Sequence, residues 1–207
     1  MNEYSFIFVL KMRCRDENKV NAICRKAMEM IVKQGFDGLS MQKLAKEANV
    51  SPATIYIYFK DREDLIQKVA VREVEKMTLA TLENFTPDMS FTVGLRVQWE
   101  NRAKYWLENP LEAQFMEQVR HSPIGDIVFQ IAKKEFSQIM KEFVKGAIQR
   151  NELIKLPVEV YWAMAFSPLY TLIKFHNDGR GVGSEKFVWS EIYMNQAFNL
   201  VVKALQP

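Results

Sequence analysis

Residues 39–60, LSMQKLAKEANVSPATIYIYFK, leave few folds open to this chain. The stretch reads as a short amphipathic helix, a tight turn and a second short helix. Ser40 stands at an N-cap position, and Met41, Leu44, Ala45 and Ala48 recur at helical spacing on one face. The break at Asn49-Val50-Ser51-Pro52 carries its own start signal. Ser51 can cap the orphan amides of a new helix, and Pro52 suits its first position because it has no N–H to lose. That helix, Pro52 to about Phe59, sets Ile55 and Phe59 toward Leu44 and Val50. Its other side shows Ala53, Thr54, Tyr56, Ile57 and Tyr58. A helix this short is marginal in water and must be held by its neighbours. Small, hydroxylated and aromatic groups facing outward beside Lys43, Lys46, Lys60 and Arg62 suit contact with a phosphate backbone and base edges. The pattern is a helix-turn-helix.

The run from Gly38 to Ile66, GLSMQKLAKEANVSPATIYIYFKDREDLI, resembles the N-terminal signature of the TetR family of bacterial one-component repressors. The apolar helix before it, Lys19 to Gln34, also fits. The likeness covers the first third of the chain; the remainder agrees in length and helical layout. It implies an all-α fold, with an N-terminal three-helix helix-turn-helix DNA-binding domain followed by a helical ligand-binding and dimerisation domain. The expected boundaries are an N-terminal arm over 1–15, the DNA-binding domain over 16–62 and the effector-binding and dimerisation domain over 63–207.

Charge agrees with that division. Net charge over the 207 residues is only +3, so the whole molecule does not demand a polyanionic partner. From Lys11 to Lys60, however, ten Lys/Arg face five Asp/Glu, leaving +5 there and −2 elsewhere. A basic end on a near-neutral body is what a DNA reader needs, although a solvated basic surface would look the same. Cys14 and Cys24 make neither a disulfide framework nor a CxxC pair, which fits a reducing bacterial cytoplasm. Cys24 falls on an apolar helix face and reads as a small buried hydrophobe.

Taken in order, residues 1–10 are apolar without a basic n-region, and Phe6 to Leu10 is too short for a signal-peptide core. They form an arm, or precede a translation start at Met12; if ordered, Lys11, Arg13 and Arg15 could reach adjacent phosphates. Helix 1 is expected from about Asp16 to Gln34, with Gly35 as the left-handed residue after it. Asp61 can cap helix 4, with Asp64 in a capping-box position, and this helix should run to about Phe85. Ser90 is expected to cap a helix carrying Phe91, Leu95, Trp99, Ala103, Trp106 and Leu107. A shorter helix follows to His121, then a long one through Ala147. Val158 to Phe175 is nearly continuous apolar sequence, but Ser167-Pro168 interrupts it and it is barely long enough for a bilayer. A helix apolar all round is alternatively buried on two sides. After a glycine-rich loop, Ser184 is expected to cap a last helix presenting Phe187, Val188, Ile192, Phe198, Val201, Val202 and Leu205. The resemblance implies a homodimer through residues 158–175 and 184–205, in a four-helix interface, and no membrane partner.

The resemblance also assigns the DNA contacts. Ser40 and Ser51 stand at helix N-termini, where amides and hydroxyls receive phosphate. The amide of Gln42 could pair with an adenine or bond a phosphate, and Ala53 and Thr54 open the recognition helix. Tyr56 and Tyr58 are expected to donate to phosphates, and Lys60 adds charge. Asn49 replaces a glycine frequent in the family, and asparagine tolerates the left-handed turn.

No catalytic spacing surrounds His121, and no glycine-rich phosphate loop follows a strand, so neither an enzyme nor a cofactor is called for. In the family, the helices carrying Met77, Trp99, Arg102, Trp106, Phe115, Met116, Trp162 and Phe166 surround an effector cavity; a filled core is the plain alternative for each. Met77, Met116 and Met164 could refill such a space as it changes form. Arg102, sharing a face with Trp99 and Trp106, would favour an apolar molecule with an anionic group if it points inward, and is otherwise solvated. Two functions remain. One is a regulator that binds a palindromic operator on double-stranded DNA and is released by a small-molecule effector. The other is a helical partner-binding or scaffold protein that kept the fold without regulated DNA binding.

Overall fold

The computed structural model describes residues 3–207, and the side chains of residues 3–16, 129, 131–135 and 184 lie outside the described residues. The expected phosphate contacts of Lys11, Arg13 and Arg15 fall there, as does Cys14. The chain is helical, with a single isolated β-bridge, Arg180 to Lys186, among the described residues. The elements are α1 (Glu3–Gln34), a 3-10 turn (Phe36–Gly38), α2 (Met41–Glu47), α3 (Pro52–Tyr58) and α4 (Arg62–Thr81). They continue with α5 (Phe91–Glu108), α6 (Pro110–Arg120), α7 (Gly125–Gln149), α8 (Val158–Asn177), a 3-10 turn (Val182–Ser184) and α9 (Glu191–Leu205). These form two compact units, Met1–Glu73 with Leu111–Val128, and Val74–Pro110 with Phe129–Pro207.

In the first unit, Ile23, Cys24, Ala27, Met28 and Ile31 of α1 are buried with Leu39, Leu44, Ala45, Ile55, Phe59, Leu65 and Val69. Gly35, at φ 72°, ends α1 in the left-handed conformation that glycine adopts without strain. Gln118 of α6 donates to the Val32 carbonyl at 3.3 Å, satisfying one of the orphan acceptors in the last turn of α1. Arg62 was expected on the outer face. Instead its Nε donates to the Leu39 carbonyl at 2.9 Å and its Nη2 to the Phe36 carbonyl, which fastens the turn before α2.

In the second unit, α5 lies against α8 and α9. Its buried set contains the expected Phe91, Leu95, Trp99, Ala103 and Trp106, and also Gln98 and Arg102. Glu100, Lys104 and Glu108 form its exposed stripe, one residue per turn. Trp99 donates from Nε1 to the Ala165 carbonyl at 2.7 Å and meets the Phe198 ring edge-on at 5.3 Å. Helix α8 buries Tyr161, Ala165, Phe166, Leu169 and Ile173, and α9 buries Met194, Phe198, Val201 and Leu205. No described helix is long and apolar enough to cross a membrane.

Three boundaries and one cap differ from the sequence reading, the first being α1, which starts at Glu3 rather than about Asp16. Helix α4 ends at Thr81 rather than Phe85, because the chain turns through Asn84 at φ 55°. The N-terminal amide of α5 is not capped by Ser90, whose side chain makes no cap bond. Helix α9 starts at Glu191 under a Ser190 cap, so Phe187 and Val188 precede it. Phe187 packs on Phe175 and Tyr193, with centroids 5.7 and 5.5 Å away.

Candidate functional site

The turn between α2 and α3 is built as its residues require. Asn49 takes φ 53°, and the Val50 amide reaches back to the Ala45 carbonyl at 3.0 Å, closing a Schellman motif on α2. Ser40 Oγ accepts the Lys43 amide at 3.2 Å, and Ser51 Oγ accepts the Thr54 amide at 3.1 Å. Each such cap is worth about 1 kcal/mol, a large share for helices of seven residues. Leu44, Ala45, Ile55 and Phe59 are buried between the helices, which fixes both faces.

Outward, α2 presents Gln42, Lys43 and Lys46, and α3 presents Ala53, Tyr56 and Ile57, with Lys60 just beyond. Tyr56 is 54% exposed. Ser51 is also exposed, while Ser40, Thr54 and Tyr58 are half-buried. Thr54 Oγ1 lies 2.9 Å from Ser51 Oγ, so its hydroxyl belongs to the cap as well as to the surface. Ile57, 74% exposed, stands among the polar groups as an apolar contact point. The sequence reading put it on the outer side without giving it a role, because an isoleucine there looks like core.

Beyond the motif, Asp61 Oδ1 accepts the Asp64 amide at 2.9 Å, starting α4 as expected. Asp64 accepts Lys68 Nζ at 2.9 Å and the Lys60 amide at 2.8 Å, and these bonds, Lys68 first, hold its carboxyl below the usual range. Lys68 is therefore occupied, whereas the side chain of Lys60 stays exposed.

A second group of candidate residues lies elsewhere. Phe115 and Met116 are buried in the first unit. Met77 is half-buried, and Met164 is 43% exposed. Arg102, Trp162 and Phe166 come together in the second unit. The Arg102 guanidinium lies 4.6 Å from the Phe166 ring centre and 5.5 Å from that of Trp162. Trp99 and Trp106 share the helix face of Arg102. Arg102 is only 1% exposed, which overturns the solvated alternative. Its partners Gln98, Thr81 and Tyr170 were not anticipated, since two of them lie far away in sequence.

Residues 23–69 match the family model of bacterial regulatory proteins of the tetR family. Over those residues, which hold the helix-turn-helix, the chain is similar to that family. Among similar proteins, an HTH-type transcriptional regulator of Haemophilus influenzae is 39% identical over 95 residues, which are 45% of this chain and 50% of that one. The chain thus spans about half the length of that relative. The Bacillus subtilis HTH-type transcriptional regulator YdeS is 26% identical, over 76% of this chain and 79% of its own. Among solved structures, a TetR family transcription regulator from Marinobacter aquaeolei superposes with a TM-score of 0.80 at 25% identity, covering 94% of this chain and 98% of that one. The family-model match ends at residue 69, whereas the likeness in fold extends over nearly the whole chain.

Proposed function

We propose that this chain is a homodimeric DNA-binding transcriptional regulator of the TetR family, a repressor that leaves a palindromic operator when a small molecule binds. The observation that carries the reading is the outer face of α2 and α3, where Gln42, Lys43, Ala53, Tyr56, Ile57 and Lys60 are exposed on helices locked by their caps. Lysines and tyrosine hydroxyls suit phosphates, while the Gln42 amide, the Ala53 methyl and Ile57 suit base edges and thymine methyls. Ser40 and Ser51 act by fixing the helix starts, where backbone amides face phosphate.

Two such faces are needed to read a palindrome, and the second unit supports a pairing surface. Val160, Met164, Ile192 and Leu200 are 44%, 43%, 68% and 70% exposed on α8 and α9. Paired subunits would set the recognition helices about one DNA turn apart. The effector would bind within the second unit, among Met77, Trp99, Arg102, Trp106, Trp162 and Phe166. It would act only through unequal affinity for the DNA-bound and released shapes. A mobility-shift assay against genomic fragments, including the chain's own promoter, tests the reading. A specific retarded fragment that competitor DNA does not remove is expected. Equal affinity for all fragments would favour a scaffold that kept the fold.

A further inference from the structure

We infer that the ligand site of the second unit is a carboxylate receptor, in which Arg102 takes the acid group of an otherwise apolar molecule. The inference rests on the ligand-responsive reading above and names the chemical class of the ligand.

Arg102 sits in the middle of α5 and is 1% exposed. Its Nη1 donates to the Tyr170 hydroxyl at 3.0 Å and lies 3.5 Å from Thr81 Oγ1, and its Nη2 donates to Gln98 Oε1 at 2.9 Å. All three acceptors are neutral. Neither Arg96–Glu100 nor Arg150–Glu152, two ion pairs of this unit, includes Arg102. A guanidinium taken out of water without a counter-charge is among the costliest groups to bury. The faces of Phe166, Trp162 and Phe136, at 4.6, 5.5 and 5.5 Å, offset part of that cost. They bring no counter-charge, and none is found among the described residues.

The surroundings are rich in donors that lack an acceptor. Among the described residues, Arg102 Nε, Trp106 Nε1 and the Tyr161 hydroxyl are buried without a hydrogen-bond partner. Burial pushes the Tyr161 phenol above its ordinary pKa, so it keeps its proton, and the positive charge of Arg102 acts on it from nearby. Orphan buried donors beside an unpaired cation call for a ligand that only accepts. A carboxylate does so with planar geometry that matches the guanidinium, and aromatic walls suit an apolar body behind it. A cation would meet Arg102 head on.

Thermal shift and calorimetric titration of the full chain with matched probes test this. The probes are 4-phenylbutyrate and decanoate, their amides, and the corresponding amines. The acids are expected to raise the Tm and to bind about tenfold or more tightly than the amides, with no effect from the amines. Gln98→Glu places a carboxylate where Gln98 Oε1 now accepts from Arg102. With helicity retained by circular dichroism, it should abolish the preference for acids, and Arg102→Met should do the same. Amides or amines binding as tightly as the acids, an acid preference undiminished in both variants, or no binding by either acid would overturn the inference. Mobility shifts run alongside separate it from the regulator reading. Acids that bind through Arg102 yet leave the protein on DNA would uphold the receptor and overturn only the release step.

Discussion

The carboxylate of Glu152 accepts the amide of Phe91 at 2.7 Å across 61 positions of sequence, capping α5 from the loop after α7. Arg150 steadies that carboxylate, with Nε to Oε1 at 3.0 Å and Nη2 to Oε2 at 3.2 Å. The Arg150 bond first, and the Phe91 amide second, hold the Glu152 carboxyl below its ordinary 4.5. A carboxyl whose pKa is depressed by folding adds stability above its unfolded value, and loses it as pH falls through the folded one. Glu152→Gln should therefore lower the Tm at neutral pH. The gap to the wild type should close as pH drops below 4.5. Thermal melts at stepped pH check this; a gap constant into acid would show that the charge is irrelevant to the cap.

That cap also marks where sequence reading stops. Ser40, Ser51, Asp61, Gly35 and Asn49 were legible because their work is local, within a few residues of each. Ser90 carries the same local signal and makes no cap bond, and a carboxylate distant in sequence accepts the first amide of the helix instead. Ser184 and Ser190 both precede apolar runs. The Arg180–Lys186 bridge and the 3-10 turn Val182–Ser184 occupy the chain between, so the helix waits for Ser190. Periodicity put Arg102 on the tryptophan face, but only Tyr170 on α8 and Thr81 at the end of α4 explain how it stays buried.

On the helix-turn-helix, exposure separates two kinds of variant. Tyr56→Phe and Lys60→Ala should weaken binding to all DNA, with Lys60→Ala lowering the salt slope by about one per subunit. Gln42→Ala should instead change preference among half-site variants, by about 1–3 kcal/mol if a bidentate base contact is lost. Thr54→Ala is expected to act on both counts, since Thr54 Oγ1 also lies 2.9 Å from Ser51 Oγ in the cap. Competition titrations with random and operator DNA would distinguish these, and equal losses for all four would show that base readout lies on other residues.

Gly94 tests the packing under α5. A Cβ there would lie 2.4 and 2.7 Å from atoms of the Phe143 ring. That ring is fully buried and held by Phe85 and Phe91, at 5.1 and 6.2 Å, so it has nowhere to go. Gly94→Ala should cost about 1–3 kcal/mol despite the better helix propensity of alanine. At Gly146 the near atom is Arg150 Nη1, at 2.9 Å, the tip of a flexible side chain. That guanidinium also holds Glu152, so Gly146→Ala should cost less than Gly94→Ala without being stabilising. Urea melts of both variants give the comparison, and a harmless Gly94→Ala would mean that the Phe143 ring can repack.

The last prediction concerns assembly, where the structure redraws the face expected on α9. Phe198, Val201 and Leu205 were assigned to the partner, but they are 2%, 4% and 1% exposed within a single subunit. Ile192 and Leu200, at 68% and 70%, lie two turns apart on one face of α9, with Gln196 between them. On α8, Val160 and Met164 repeat the arrangement one turn apart, at 44% and 43%. Apolar groups at that spacing on two neighbouring helices are left in water unless a second copy covers them. Ile192→Glu with Leu200→Glu should therefore yield a folded monomer, because neither side chain supports its own core. Its affinity for a palindrome should fall toward that for one half-site. Phe198→Glu should instead lose helicity, since a charge there enters the packing against Trp99. Light scattering with circular dichroism separates the two outcomes. A double variant with the same mass in solution as the wild type would exclude this face from the interface.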